Sequence, residues 1–254
     1  MLRHICSYPA LCRRSPFVWA ILVVSIFLEV VAGCRRAPPP VPAPPGLAEI
    51  APGRGTPYTP RTLLQIRDRA LVLPSGERCP ATGACPGLMA LRGQPIAVDL
   101  EASLMVAEMS VPLAQIALIL GVEETICLRV AAAGASRCLD VLPQPAAALG
   151  GWMDAEKPLA KIRLMVRADG MEVVTVRGKI PGPDRFGPSV PTKGGKHDLA
   201  LLAQSLARLA AHLPQEREAA LLASPQTSAQ TVAAALDALA NASEDQFEKR
   251  LFFL

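Results

Sequence analysis

The sequence predicts an α+β fold of two layers, in which helices pack on one face of a mixed β-sheet and one folding unit occurs twice in tandem. Three observations predict this fold. Residues 62–142 and 161–254 each open with a hairpin pattern and continue as a loop, a strand, a helix and a strand. An apolar stripe at helical spacing follows the second hairpin. Aromatic residues make up only 4% of the chain, so Leu, Val, Ile and Ala must build the core.

The first 33 residues have the organisation of a secretory signal: basic residues precede an apolar run at 17–31, and small residues follow it. The run Val31-Ala32-Gly33-Cys34 resembles the lipobox of bacterial lipoproteins, which implies that Cys34 is lipidated and becomes the first residue after cleavage. The alternative is an uncleaved signal anchor in residues 16–33, which is about the minimum length for a transmembrane helix. Glu29 would then be a carboxylate inside the membrane.

Both alternatives place the rest of the chain in the cell envelope, anchored to a membrane and facing the periplasm. Arg35 stands after the cysteine, where an aspartate commonly retains lipoproteins at the inner membrane. The sequence therefore favours the outer membrane over the inner one.

Residues 34–61 predict a Pro-rich linker, because nine prolines between residues 35 and 60 favour extended polyproline II. At about 3.1 Å per residue, such a linker holds a folded domain away from the bilayer. From Cys34 onward Lys and Arg exceed Asp and Glu by only two, which argues against a nucleic-acid partner.

Four cysteines follow Cys34, and this even number fits an oxidising compartment. Cys79 and Cys85 bracket a short loop. Cys127 and Cys138 come to face each other if residues 125–141 form a hairpin. A four-cysteine zinc site requires paired short spacings, which these cysteines lack, so the sequence predicts disulfides, with no metal and no cofactor.

The elements can be placed in order along the two units. In the first unit, 62–142, the expected elements are strands around a turn at Asp68-Arg69, a strand at 96–98, a helix at 110–120 and a strand at 125–130. A connector, 143–160, leads to the second unit, 161–254. There the expected elements are a hairpin at 161–177 with an Asp169-Gly170 turn, a strand at 219–223, a helix at 228–241 and a strand at 249–254.

Only the second unit has an extra helix, which Asp198 caps and Pro214 ends. Its stripe consists of Leu199, Leu202, Leu206, Leu209 and Leu213. The equivalent stretch of the first unit is the cysteine-bearing loop at 77–92.

This order of elements resembles the periplasmic domain of the ExbD/TolR family of biopolymer-transport proteins. The likeness rests on residues 161–177, on the helix that starts at His197 and on residues 220–239, and residues 96–120 are similar to the same region. Asp99 stands where the family often has an acidic residue after the strand, and Ser224 occupies that place in the second unit. The resemblance implies a two-layer domain that works with a proton-driven motor in the inner membrane. The chain departs from the family at the anchor, where Glu29 is the only carboxylate and lies near the far end.

No catalytic pattern is evident. After the signal only His197 and His212 remain, on one predicted helix, where capping or surface roles are expected, and motifs such as G-x-S-x-G, H-E-x-x-H or a P-loop do not occur. Lys179, Lys193 and Lys196 lie in a loop that is either solvated or in contact with an anionic polymer, and Arg185 adds to its basic character.

The leading hypothesis is a non-enzymatic envelope lipoprotein that presents an ExbD/TolR-like domain, accessory to biopolymer transport or envelope contacts. The alternative is a signal-anchored subunit of a transport complex driven by the proton motive force, and an exported hydrolase is the third class. The expected partners are the membrane, through the N-terminal lipid or signal anchor, and a motor protein or cell-wall polymer. A homodimer remains open.

Overall fold

The structure, a computed structural model, describes residues 40–80, 84–121, 123–242 and 247–254. Glu29 and Cys34 lie outside these residues. The described chain is a mixed α/β body with one large mixed sheet and five helices. Within the described ranges, none of the helices has the length and apolar character needed to cross a membrane.

The elements of the first half and the connector are as follows. They comprise β1 (Thr56–Pro57), β2 (Thr62–Arg67), β3 (Ala70–Val72), β4 (Arg78–Cys79), α1 (Pro86–Met89), β5 (Ile96–Asp99), α2 (Val106–Leu120), β6 (Ile126–Ala132), β7 (Ala135–Gln144) and α3 (Ala148–Asp154).

The elements of the second half complete the sheet. They comprise β8 (Ile162–Arg167), β9 (Gly170–Thr175), β10 (Gly178–Lys179), β11 (Val190–Lys193), β12 (Lys196–His197), α4 (Leu199–His212), β13 (Glu218–Ala223), α5 (Ala229–Ala240) and β14 (Lys249–Phe253). The hairpins and the strand, helix and strand predicted for each half are present with small shifts of their ends. The turn of the second hairpin falls at residues 168 and 169, one residue before the predicted Asp169-Gly170, because Gly170 already pairs with Arg167.

The sheet order is β12-β11-β9-β8-β13-β14-β7-β6-β5-β2-β3-β4, and β1 and β10 pair with β7 and β9 beside this path. Counted outward from β7, one side runs β6, β5, β2, β3 and the other runs β14, β13, β8, β9. On both sides the first three strands are parallel and the fourth is antiparallel. Since β7 is antiparallel to β6 but parallel to β14, the two sides run in opposite directions.

The turns that close the hairpins follow from local backbone preferences. Asp68 and Arg69 both have positive φ, at 48° and 61°, and Ala133 and Gly134 have φ of 50° and 77°. Two successive residues with positive φ match the twist of paired strands, so each pair closes a tight hairpin. The β6–β7 hairpin thus pairs β7 with β6 of the first half, and β7 also pairs with β14 of the second half.

Helices α2, α4 and α5 share one hydrophobic core with one face of the sheet. Leu202 and Leu206 of the predicted stripe are fully buried, whereas Leu209 and Leu213 are only partly buried and Leu199 is exposed. The stripe therefore buries its centre against the sheet and leaves both ends open.

The connector adds a helix to the opposite face of the sheet. Leu149 and Trp152 of α3 pack against Leu142, Leu251 and Phe253, and the rings of Trp152 and Phe253 lie 5.9 Å apart. Because side chains alternate along a strand, these residues point away from the face that α2 and α5 cover. The prediction that helices lie on one face of the sheet only therefore does not hold for α3, which lies on the other face.

Residues 40–61, the described part of the predicted Pro-rich linker at 34–61, pack on the sheet. The Ile50 N–H donates to the Ala131 carbonyl at the end of β6, and the Ala131 N–H donates to the Ala48 carbonyl. Strand β1 pairs with residues 137 and 138 of β7, outside the part of β7 that pairs with β14. Leu47, Ala48 and Ile50 are buried. Proline tolerates such edge positions, where its missing N–H is not needed, so a proline-rich composition does not prevent this pairing.

Candidate functional site

The N-termini of α2 and α5 cap each other where the two halves meet. Met105 and Ser228, the residues that precede these helices, form an antiparallel bridge. The N–H of Val106 donates to Thr227 O at 2.9 Å, and the N–H of Ala229 donates to Leu104 O at 2.7 Å. The first amides of a helix have no partner within the helix, so each half satisfies amides of the other.

Two cysteine pairs lie at disulfide distance, Cys79 with Cys85 and Cys127 with Cys138, each with 5.3 Å between the Cα atoms. This agrees with the pairing predicted from the sequence. The first pair is fully buried beside Leu88 of α1. The second lies across the β6–β7 hairpin and contacts Tyr58.

Asp99 belongs to a buried polar cluster on the face away from α2. Its carboxylate accepts two hydrogen bonds from Arg129 of the neighbouring strand, at 2.5 and 2.9 Å. The Arg129 guanidinium lies 5.3 Å from the centre of the Tyr58 ring. Asp99 is 5% exposed and its charge is paired within the protein, so this acidic residue has a structural role here.

The other residues that the sequence singled out do not assemble into a site. Ser224 bonds to the Thr227 hydroxyl at 3.0 Å, and His212 Nδ1 bonds to the Arg208 carbonyl at 2.7 Å. His197 lies in β12, where burial lowers the pKa of its imidazole although the Asp169 charge raises it. Within the described ranges, no group of three or more His, Cys, Asp or Glu side chains is placed to hold a metal ion.

The basic segment that the sequence predicts as a loop contains short strands, since Lys179 lies in β10, Lys193 in β11 and Lys196 in β12. Residues 180–189 remain as a loop. Lys179 Nζ donates to Gly187 O at 2.7 Å, which ties one end of the loop to the other. Phe186, at the loop tip, is 89% exposed, and the Arg185 guanidinium lies 5.9 Å from its ring centre.

A cleft of about 560 Å³ opens in the second half, where the C-terminal end of α4 meets the β9–β10 hairpin. Its apolar lining consists of Leu159, Ala160, Val176, Ile180, Leu209, Leu213 and Pro214. A smaller hollow of about 400 Å³ adjoins it and shares Ile180, Leu209 and His212. The volume of the larger cleft lies in the range of small-ligand sites.

Glu216 is a buried carboxylate that lines this cleft. It is only 6% exposed, and its Oε1 accepts a hydrogen bond from the Ala160 N–H at 3.1 Å. Its Oε2 is also buried and has no hydrogen-bond partner among the described residues. Burying a carboxylate oxygen without a partner is unfavourable, so Glu216 is an acceptor whose donor is missing from the described chain.

Sequence reasoning missed both the cleft and Glu216. The residue lies in Pro214-Gln215-Glu216-Arg217-Glu218, a run that is typical of a solvated loop. The only local signal was that the leucine stripe runs on to Leu209 and Leu213, up to the helix end. Its burial depends on the non-local contact with Ala160.

Comparison of the chain with protein-family models, with curated proteins and with solved structures finds no match.

Proposed function

We propose that the protein is a non-enzymatic envelope lipoprotein that presents two copies of an ExbD/TolR-like unit for contacts with envelope partners. The single observation that carries this proposal is the equal strand order on the two sides of β7, with the same parallel and antiparallel pairs. In each half a hairpin leads, after an intervening segment, to a strand, a helix and a strand, which is the order that suggested the family.

The junction between the halves supports the two-unit interpretation. Met105 and Ser228 precede equivalent helices, and the hydrogen bonds between them are reciprocal. Such reciprocity is characteristic of two like units related by a half-turn. In this proposal the chain contains in one polypeptide the contact that separate units would make as a dimer.

The four cysteines after Cys34 support an exported location. They form two pairs at disulfide distance, and such bonds persist in oxidising compartments such as the periplasm. Export is also what the basic and apolar segments of the first 33 residues indicate. In the proposal, lipid on Cys34 holds the protein at the membrane, and the short stretch before residue 40 links the lipid to the folded body.

The anchor is tested by mass spectrometry of the mature N-terminus, on protein isolated from the membranes of a bacterial host. The lipoprotein proposal expects a chain that begins at Cys34 and carries acyl groups. Cys34→Ala is the matched variant, and it should accumulate as an uncleaved, non-acylated chain. An intact Met1 or a non-acylated N-terminus in the wild-type protein would remove the lipoprotein proposal.

The second candidate is a signal-anchored subunit of a transport complex driven by the proton motive force, and the presence of Glu29 within the apolar run favours it. A carboxylate inside a membrane segment often marks a proton path. This candidate expects co-purification with a multi-helix motor protein, and it expects Glu29→Ala to abolish that association. Retained association in Glu29→Ala would count against it.

A further inference from the structure

We infer that the cleft beside α4 is a docking site for a partner peptide that inserts a lysine side chain flanked by apolar residues. The inference rests on the proposed contact function, because it names the site and the chemistry of one such contact. It does not depend on how the N-terminus is anchored.

The apolar lining selects the body of the ligand. Leu209 and Leu213 are only partly buried, and Val176 and Leu159 are exposed at 56% and 70%. Apolar surface of this kind gains free energy when a ligand removes it from water. The cleft is therefore suited to side chains such as leucine.

Glu216 selects the charge of the ligand. Arg177 and His212 also line the cleft and are exposed, whereas Glu216 is the buried charged residue of the lining, and its Oε2 has no donor within the described chain. A lysine ammonium supplies three donors and the opposite charge. Oε2 is itself buried, so the ammonium reaches it when the glutamate side chain turns about its terminal torsion, which is soft.

The protein's own buried lysine does not fill this role. Lys161 follows Ala160 directly, but its Nζ donates to the carbonyls of Trp152 at 2.5 Å and of Lys157 at 3.1 Å. The ammonium also lies 5.1 Å from the centre of the Trp152 ring. The Lys161 ammonium therefore binds residues of the connector, so a cation that binds Glu216 Oε2 must come from a ligand.

In the described part of the first half, buried side chains occupy the place that corresponds to this cleft. The Cys79–Cys85 pair and Leu88 are all fully buried there. The lysine peptide is therefore expected to bind in the second half, at one site per chain.

The test uses fluorescence anisotropy of the labelled peptide Leu-Leu-Lys-Leu-Leu and of its twin Leu-Leu-Glu-Leu-Leu, titrated with the full chain. The lysine peptide should bind about tenfold or more tightly than the glutamate peptide. Glu216→Gln keeps an acceptor for the Ala160 N–H but removes the charge, so it should weaken the lysine peptide by about tenfold and remove the discrimination. Glu124→Gln, at an exposed site outside the cleft, is the matched control and should bind as the wild type does.

A second variant leaves Glu216 in place and tests the cleft independently if Glu216→Gln disturbs the fold. Val176→Trp, at an exposed position of the cleft lining, should narrow the cleft and weaken both peptides. Equal affinity of the two peptides for the wild type would overturn the inference, as would full binding in either Glu216→Gln or Val176→Trp. None of these outcomes bears on whether Cys34 is acylated, so failure here and failure of the lipoprotein proposal remain distinguishable.

Discussion

The two halves of the sheet close the same position by different means. In the first half, residues 77–80 and 84–92 lie next to α2 and contribute a buried cysteine pair and the one-turn helix α1. In the second half the helix α4 packs next to α5 and is held by the buried leucines Leu202 and Leu206. This helix leaves a cleft at its C-terminal end.

A second difference lies on the opposite face of the sheet. The first half places the Asp99–Arg129 ion pair there, under the segment that contains Tyr58. In the second half Leu251 and Phe253 lie there and pack against Trp152 of the connector, whose Nε1 donates to Glu218. The first half is therefore expected to be sensitive to loss of the Asp99 charge.

The largest expected effect follows from loss of the Asp99–Arg129 ion pair in the first half. Asp99→Ala leaves the Arg129 guanidinium buried without its carboxylate, and removal of one partner of a buried pair costs about 3 to 5 kcal/mol. The free energy of unfolding, from urea titration followed by circular dichroism, should fall by this amount. The double variant Asp99→Leu with Arg129→Met removes both charges and should recover most of the loss. Equal losses in the single and double variants would show that the charge is not the cause.

The next effect concerns the stripe that holds α4. Leu206 is fully buried, so Leu206→Ala should lower the free energy of unfolding by about 3 kcal/mol through lost burial and a residual cavity. Leu199→Ala is the control on the same helix, because Leu199 is 42% exposed, and it should change stability by less than about 1 kcal/mol. Similar losses in both variants, measured by urea titration, would contradict the packing of this helix.

The Cys79–Cys85 bond of the first half should contribute somewhat less to the free energy of unfolding. Replacement of Cys79 and Cys85 by alanine opens a loop whose ends are six residues apart, and the loop-entropy relation gives about 2 kcal/mol for such a bond. Thermal unfolding of the double variant under oxidising conditions should show the loss, and Cys127→Ala with Cys138→Ala should cost about 3 kcal/mol because its loop is longer. If the Cys79/Cys85 variant is as stable as the wild type, the first half does not depend on this bond.

The smallest effect concerns the residues that precede α2 and α5. The Ser228 hydroxyl accepts from the Thr231 N–H, whereas the Met105 side chain has no oxygen that could accept in the same way, although the Met105 N–H donates to Glu108 Oε2 at 2.9 Å. Ser228→Ala should cost about 1 kcal/mol, and Met105→Ser should stabilise by about 0.5 to 1 kcal/mol, because it completes a Ser-x-x-Glu capping box. Differential scanning calorimetry of both variants checks the pair of signs. Destabilisation by Met105→Ser would show that the two helix starts are not equivalent.

Local features of the fold were predictable from the sequence because a few neighbouring residues determine them. Asp198 caps the extra helix as predicted, since its Oδ1 accepts a hydrogen bond from the Leu201 N–H. The helix expected at 228–241 is also present, and the Ser228 hydroxyl oxygen accepts from the Thr231 N–H at its start. The turn at Asp68-Arg69 and the two cysteine pairs also lie where the sequence placed them.

Features that depend on distant strands were not predictable. Helix α2 begins at Val106 rather than at Ser110, because Pro225 and Thr227 of the other half accept hydrogen bonds from its first amides. The pairing of residues 40–61 has no local signal either, because their partners at β6 and β7 come together only in the folded sheet. Glu216 likewise gives no local sign of burial, since Ala160 and the end of α4 enclose it.

The proposal that the chain contains one unit twice is tested most directly by an experimental structure of the full chain. The account predicts that the strands β3, β2, β5 and β6 with α2 superpose on β9, β8, β13 and β14 with α5 after a half-turn about an axis near Met105 and Ser228. Two halves that differ in strand order, or that are related by no such rotation, would contradict it.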